Sequence, residues 1–206
     1  MKKFSIGIFL FLVVVIFAFP QVYSRTEPVV LSAGGGVSGS LYFAKDDGDN
    51  YRYRDFKIRG YFDGEFFSFV LFEAALYAEF GTNTTTREYY NWRDLGLDFS
   101  LFGQYPFEVN YGLTVAPILG FGYKMLFLRF DDEWELYTRG DFYSPDSLWL
   151  RFGGGLNYDV SRNTRLNARL LYNIFLYSKW ASEYRADGNK YSEHGPSLFL
   201  GISRLF

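Results

Sequence analysis

Eight times between Leu31 and Phe206 the chain alternates apolar and polar side chains with a period of two, and no stretch after the first two dozen residues holds a helical period. Such alternation belongs to strands with two unlike faces, since successive side chains of a strand point to opposite sides. The clearest run sets Phe66, Val70, Phe72, Ala74, Leu76, Ala78 and Phe80 against Glu73, Tyr77 and Glu79. Another sets Tyr111, Leu113, Val115, Leu119, Phe121 and Tyr123 against Asn110, Gly112, Thr114, Gly120 and Lys124. The chain is therefore expected to be all-β and antiparallel.

The connections carry a second pattern. Those after the second, fourth and sixth runs are short, with "DG" at Asp63–Gly64, "YPF" at 105–107 and "DVSRN" at 159–163 read as the turns. Those after the third, fifth and seventh are long, polar and aromatic, around 81–91, 127–146 and 178–195. One end of the sheet thus meets different surroundings from the other.

The alternating faces also differ in bulk. Phe, Tyr and Leu crowd one, while Gly, Ser, Asn, Thr and charges fill the other. A barrel of eight strands has an interior just wide enough for side chains to fill, so the small and charged face suits the inside and the bulky face an outside bathed in lipid. The runs exceed the usual globular strand of about 5–6 residues and reach the roughly 9–11 that cross a bilayer at a tilt. Aromatics near the run ends are expected to form interfacial girdles, with Tyr61, Phe62, Tyr105, Phe107, Tyr158 and Phe206 at the short-turn end and Tyr51, Tyr53, Tyr77, Phe80, Trp92, Tyr123, Phe142 and Tyr177 at the other. The soluble alternative, a lipocalin-like barrel, would place the aromatic face inside.

Composition agrees. Aromatics make up 22% of the residues, yet no unbroken apolar run of membrane-helix length follows the amino-terminal segment. A formal net charge of −2 gives no electrostatic footing to nucleic acid. The lack of cysteine removes disulfides, thiolate metal sites and a thiol nucleophile. Lys2 and Lys3, an apolar run to Phe19, Pro20, and small or apolar residues at Val22 and Ser24 have the layout of a secretory signal peptide. Residues 1–24 are expected to be a cleaved signal and 25–206 a single barrel domain.

The run "PSLFLGISRLF" places Leu198, Leu200, Ile202 and Phe206 on one apolar face. With this segment and the eight alternating runs, the chain resembles the small eight-stranded bacterial outer-membrane barrels (OmpX-, OmpA- and OmpW-like). The resemblance is architectural and spans nearly all of residues 29–206. It implies an up-and-down transmembrane barrel in the outer membrane, with long loops outside the cell and the last strand closed onto the first. It also implies that Leu198, Leu200, Ile202 and Phe206 carry the signal read by the barrel-assembly machinery. Arg204 departs from that pattern, and Pro117, which lacks a ladder donor, predicts a bulge.

The inward parity collects Asp55, Lys57, Arg59, Glu73, Glu79, Asp98, Lys124, Arg151, Arg165 and Arg169. Buried charges must be paired, so these are expected to form a salt-bridge network that plugs the lumen; a gated ion path is the functional alternative. In the long connections, Tyr89, Tyr90, Trp92, Trp134, Tyr137, Trp180, Tyr184 and Tyr191 are candidate contacts for a surface ligand. Some barrels of this size and topology modify lipid A with a His and a Ser, but His194, the one histidine, sits in "YSEHGPS" without a His-x-Ser spacing and is expected to be an ordinary loop residue. Glycine-rich "AGGGVSG" and "FGGGL" do not join a strand to a helix as a phosphate loop requires. The acidic runs "DDGDN" and "FDDEWE" do not have the spacing of a calcium loop. The expectation is a monomeric, non-enzymatic outer-membrane protein without metal or cofactor, in contact with outer-membrane lipids. Its role would be envelope structure, adhesion or surface binding; a narrow channel or solute carrier comes second and a lipid-modifying enzyme third.

Overall fold

The computed structural model describes residues 29–46, 49–83, 91–130, 136–138, 146–178 and 191–206. The segment read as a signal peptide lies outside these residues. The strands are β1 (Val29–Asp46), β2 (Asp49–Phe66), β3 (Val70–Asn83), β4 (Asn91–Gln104), β5 (Phe107–Asn110), β6 (Leu113–Phe130), β7 (Leu136–Thr138), β8 (Ser147–Ser161), β9 (Thr164–Tyr177) and β10 (Tyr191–Leu205). Each long strand pairs antiparallel with its sequence neighbours, and β10 returns to β1 from Ser32↔Leu205 to Asp46↔Tyr191. Beyond that ladder, the Phe206 N–H donates to the Leu31 carbonyl at 2.9 Å. The sheet is a closed barrel of eight staves among the described residues, with β4 and β5 sharing one stave and β7 pairing antiparallel beside the end of β6.

The two barrel faces separate as the alternation requires. Ile58, Leu119 and Leu170 on the outer face are 54%, 59% and 61% exposed, whereas Glu73 and Arg169 on the inner face are 1% and 5% exposed. A soluble sheet buries its apolar face; this barrel is the reverse.

Three local expectations fail for physical reasons. Asp63–Gly64 is not the β2–β3 turn. Both residues stay in the ladder, opposite Glu73 and Phe72, and Asp63 Oδ2 accepts from Arg169 at 3.0 Å inside the barrel. The chain turns instead at 67–69, where Phe67 and Ser68 take positive φ of 50° and 62° and the Phe69 N–H donates to the Phe66 carbonyl at 3.1 Å. Nor does "YPF" end the fourth stave. The pairs Gln104↔Ile118 and Phe107↔Val115 hold one register across it, and the turn comes at 111–112.

Pro117 makes no bulge in the β6–β8 ladder, where it pairs with Gly154 without a shift. Its carbonyl accepts from the Tyr105 N–H at 3.2 Å, so the edge that lacks a donor faces Tyr105–Pro106. Because N–H and C=O of a strand residue point to the same neighbour, the missing donor falls where regular pairing on the β4–β5 stave already lapses.

The girdle expectation holds only in part. Phe62, Tyr158 and Phe206 are exposed at the short-turn end, and Phe80, Tyr123 and Tyr177 at the other, while Tyr51, Tyr105 and Phe107 are half-buried and Phe142 lies outside the described residues. Tyr61, Tyr77 and Trp92 are buried in the lumen, and half-buried Tyr53 packs against Trp92 and Tyr42. Their parity, not their aromatic character, sets the face.

Candidate functional site

Near the short-turn end the lumen is held by arginines. Arg169 donates to Glu73 and to Asp63, and Arg59 takes the other Glu73 oxygen. Arg151 grips Asp98 with two nitrogens and donates to Ser100 Oγ. Arg165 spans Asp159 at 2.7 Å and Glu65 at 3.3 Å. Between these pairs, Asn167 Nδ2 donates to the Tyr61 hydroxyl at 2.8 Å and to Ser203 Oγ at 3.0 Å. Phe199 offers its ring to the Arg59 and Arg169 guanidinium groups at 5.2 and 5.5 Å. The cavities left here are about 40 and 20 Å³, and Arg169 lines both. The plug is close-packed.

Small residues make this packing possible. A Cβ at Gly122 would stand 2.2 Å from Arg151 Cζ, so the guanidinium occupies the space that glycine leaves empty. Likewise a Cβ at Gly81 would lie 2.0 Å from the Trp92 ring.

Toward the end from which the long connections leave, the character changes. Lys57 sits 2.9 Å from both Asp55 and Glu79, and Trp92 Nε1 donates to Glu79 at 3.2 Å. Arg129 pairs with Asp94 through two nitrogens, at 2.7 and 2.8 Å. Lys124 is held by π faces, with Nζ 4.9 Å from the Trp149 centroid and 5.5 Å from that of Tyr42. Around it the rings of Trp92, Tyr53, Tyr42, Trp149, Phe175 and Tyr191 touch in sequence, with centroid separations of 5.1 to 5.7 Å. Glu193 closes the circle: its carboxylate accepts from the hydroxyls of both Tyr53 and Tyr191. The wall encloses a cavity of about 340 Å³.

All ten residues of the expected charge network thus face the lumen, nine of them in ion pairs and Lys124 on aromatic rings. Asp63, Asp94, Arg129 and Glu193 belong to the lumen too. Sequence reading missed them by ending runs at a supposed turn or loop, although the alternation carried past those points would have included them.

Among the candidate loop contacts, Trp92 and Tyr191 are on β4 and β10 with their rings in the mouth, not on outward loops. Tyr137 is on β7, its backbone paired with Arg129. Tyr89, Tyr90, Trp134, Trp180 and Tyr184 lie outside the described residues. Leu198, Leu200 and Ile202 face outward, as does Phe206.

His194 is on β10 rather than in a loop, on the outer face. Its Nδ1 is 2.6 Å from the Tyr172 hydroxyl, and its ring packs near Phe43. Its neighbour Glu193 points into the lumen, so the strand separates the acid from the imidazole.

No family model matches this chain, and no curated protein does. Solved structures do. Ail, the attachment invasion locus protein of Yersinia pestis, in complex with the heparin analogue sucrose octasulfate, is 14% identical, with 85% of this chain and 99% of that chain covered and a TM-score of 0.37. Neisserial surface protein A is 13% identical, with 87% and 98% covered and a TM-score of 0.46. The Escherichia coli outer-membrane protease OmpT is 8% identical, with 90% and 98% covered and a TM-score of 0.32. At these identities the likeness is one of architecture alone.

Proposed function

We propose that this chain is an integral outer-membrane barrel that does not conduct at rest and acts through the end bearing the long connections, as an envelope or surface-binding protein. One observation carries the reading: the barrel is inside out, with an apolar exterior and an ion-paired interior. In a bilayer every backbone polar group must be satisfied within the protein, and closing a sheet on itself does so. An apolar outer band is then what lipid requires, whereas in water it would be a large exposed hydrophobic surface.

The packed plug argues against a resting pore, since the two inner cavities hold little more than a water or two. The geometry of His194 favours a non-enzymatic role, because the nearest acid in sequence is on the opposite face. Function then falls to the mouth and the connections above it.

The test is protease treatment of intact cells with the cuts mapped by mass spectrometry. Cuts within 84–90, 131–135, 139–145 and 179–190, with the strands and the turns at 67–69, 111–112 and 162–163 protected, are expected. Release of the intact protein by osmotic shock would overturn the membrane reading.

A further inference from the structure

The aromatic vestibule at the mouth has an electrostatic imbalance that the plug does not have. Arg129 and Asp94 neutralise each other in a two-point pair. Lys57 serves Asp55 and Glu79 together, which leaves one negative charge, and Lys124 lines the same cavity and offsets it. Glu193 is left over. It is 7% exposed, it lines the cavity, and among the described residues its partners are tyrosine hydroxyls rather than a cation. A buried carboxylate without a counter-charge is costly and is relieved by taking up a proton or a cation, and an organic cation entering the cavity would supply the missing charge.

The wall says what kind. Tyr42, Tyr53, Trp92, Trp149 and Tyr191 line the cavity, and Glu193 links Tyr191 back to Tyr53, so π faces stand on several of its sides. Such faces attract ammonium groups, above all alkylated ones whose methyl groups pack against the rings. Lys124 already illustrates the preference, with its ammonium over Trp149 and Tyr42. The cavity volume of about 340 Å³ lies at the low end of the roughly 300–1,000 Å³ typical of small-molecule sites. A hydrated metal ion would find carboxylates already committed to Lys57 and Arg129.

We propose that the vestibule binds a small organic ammonium ion, with its charge beside Glu193 and its alkyl groups against the rings of Tyr53, Trp149 and Tyr191. This rests on the reading of that end as the aqueous mouth of a membrane barrel.

The probe is choline, titrated calorimetrically into protein refolded in octyl glucoside, a detergent without a choline headgroup. The neutral isostere 3,3-dimethylbutan-1-ol serves as comparator. Saturable heat with choline and none with the isostere is expected. Glu193→Gln should weaken choline by about tenfold or more. Lys124→Gln should do the opposite and tighten it severalfold, because it removes a competing cation and frees two ring faces. A purely structural role for both residues would not give opposite signs.

Equal binding of choline and its isostere, or unchanged affinity in Glu193→Gln, overturns the proposal. If Glu193→Gln does not fold, Lys124→Gln decides it: weaker or unchanged binding there overturns it. The heat-dependent gel mobility of the same samples reports the barrel separately. A folded barrel that ignores choline therefore sinks the ligand and leaves the membrane reading standing.

Discussion

Arg151 on β8 and Asp98 on β4 meet inside the barrel in a two-point pair, Nη1 to Oδ1 at 2.7 Å and Nη2 to Oδ2 at 2.8 Å, although their strands are separated by β6. Both are buried, and Ser100 and Gly122 complete the seat, one by accepting from Nη1 and the other by having no side chain. The pair works as a strut across the lumen.

Removing one end of that strut leaves the other charge buried without a partner. Arg151→Met should cost about 3–5 kcal/mol, measured by urea unfolding in lipid vesicles. The double substitution Arg151→Met with Asp98→Asn should recover most of that loss, since the cost lies in the orphaned charge more than in the missing attraction. Additive losses would mean that the two residues act separately.

The outer face gives a direct reading of the surrounding medium. Ile58 pairs with Val37 on one side and Ala78 on the other, and its side chain points away from the barrel. In a bilayer, Ile58→Arg near mid-strand should cost about 2–4 kcal/mol. On a surface facing water the same substitution falls within about 0.5 kcal/mol of neutral. Vesicle unfolding of the variant therefore checks the membrane reading with one residue.

How far the sequence could be read follows from these same residues. Parity put Asp98 and Arg151 on the inner face before any contact was known, because each alternates with bulky apolar neighbours. It could not say that Arg151 would choose Asp98, since partners across a barrel depend on strand order and register. Where residue type was set against parity, parity won. Tyr61 and Trp92 have the chemistry of a membrane interface, yet they lie inside, one bonded to Asn167 and the other to Glu79. The strongest local turn signal also lost. Asp63–Gly64 is favourable turn chemistry, but leaving Asp63 in the strand supplies Arg169 with a carboxylate, and Phe67 and Ser68 accept the positive φ instead. The vestibule was the least visible feature, because its rings come from six different staves.

His194 offers a test of the catalytic alternative. Its ring faces outward beside Tyr172 and Phe43, with Glu193 on the other side of the wall. Expression of the protein should leave the mass spectrum of lipid A unchanged, and His194→Ala should be indistinguishable from wild type. A lipid A species that disappears with His194→Ala would establish an enzyme and displace the non-enzymatic reading.

The plug should behave as a closed door with a known hinge point. Arg169 lines both inner cavities and ties β9 to Glu73 on β3 and Asp63 on β2. Planar bilayers containing wild-type protein should show no resolved conductance steps. In Arg169→Ala the two cavities merge, while Glu73 keeps Arg59 and Asp63 loses its cation. Brief, small steps are expected, and the freed carboxylate should make them cation-selective, with a reversal potential displaced accordingly in a salt gradient. Steady conductance in wild type, unaltered by Arg169→Ala, would mean that ions pass by another route and that the ion-paired interior is no plug.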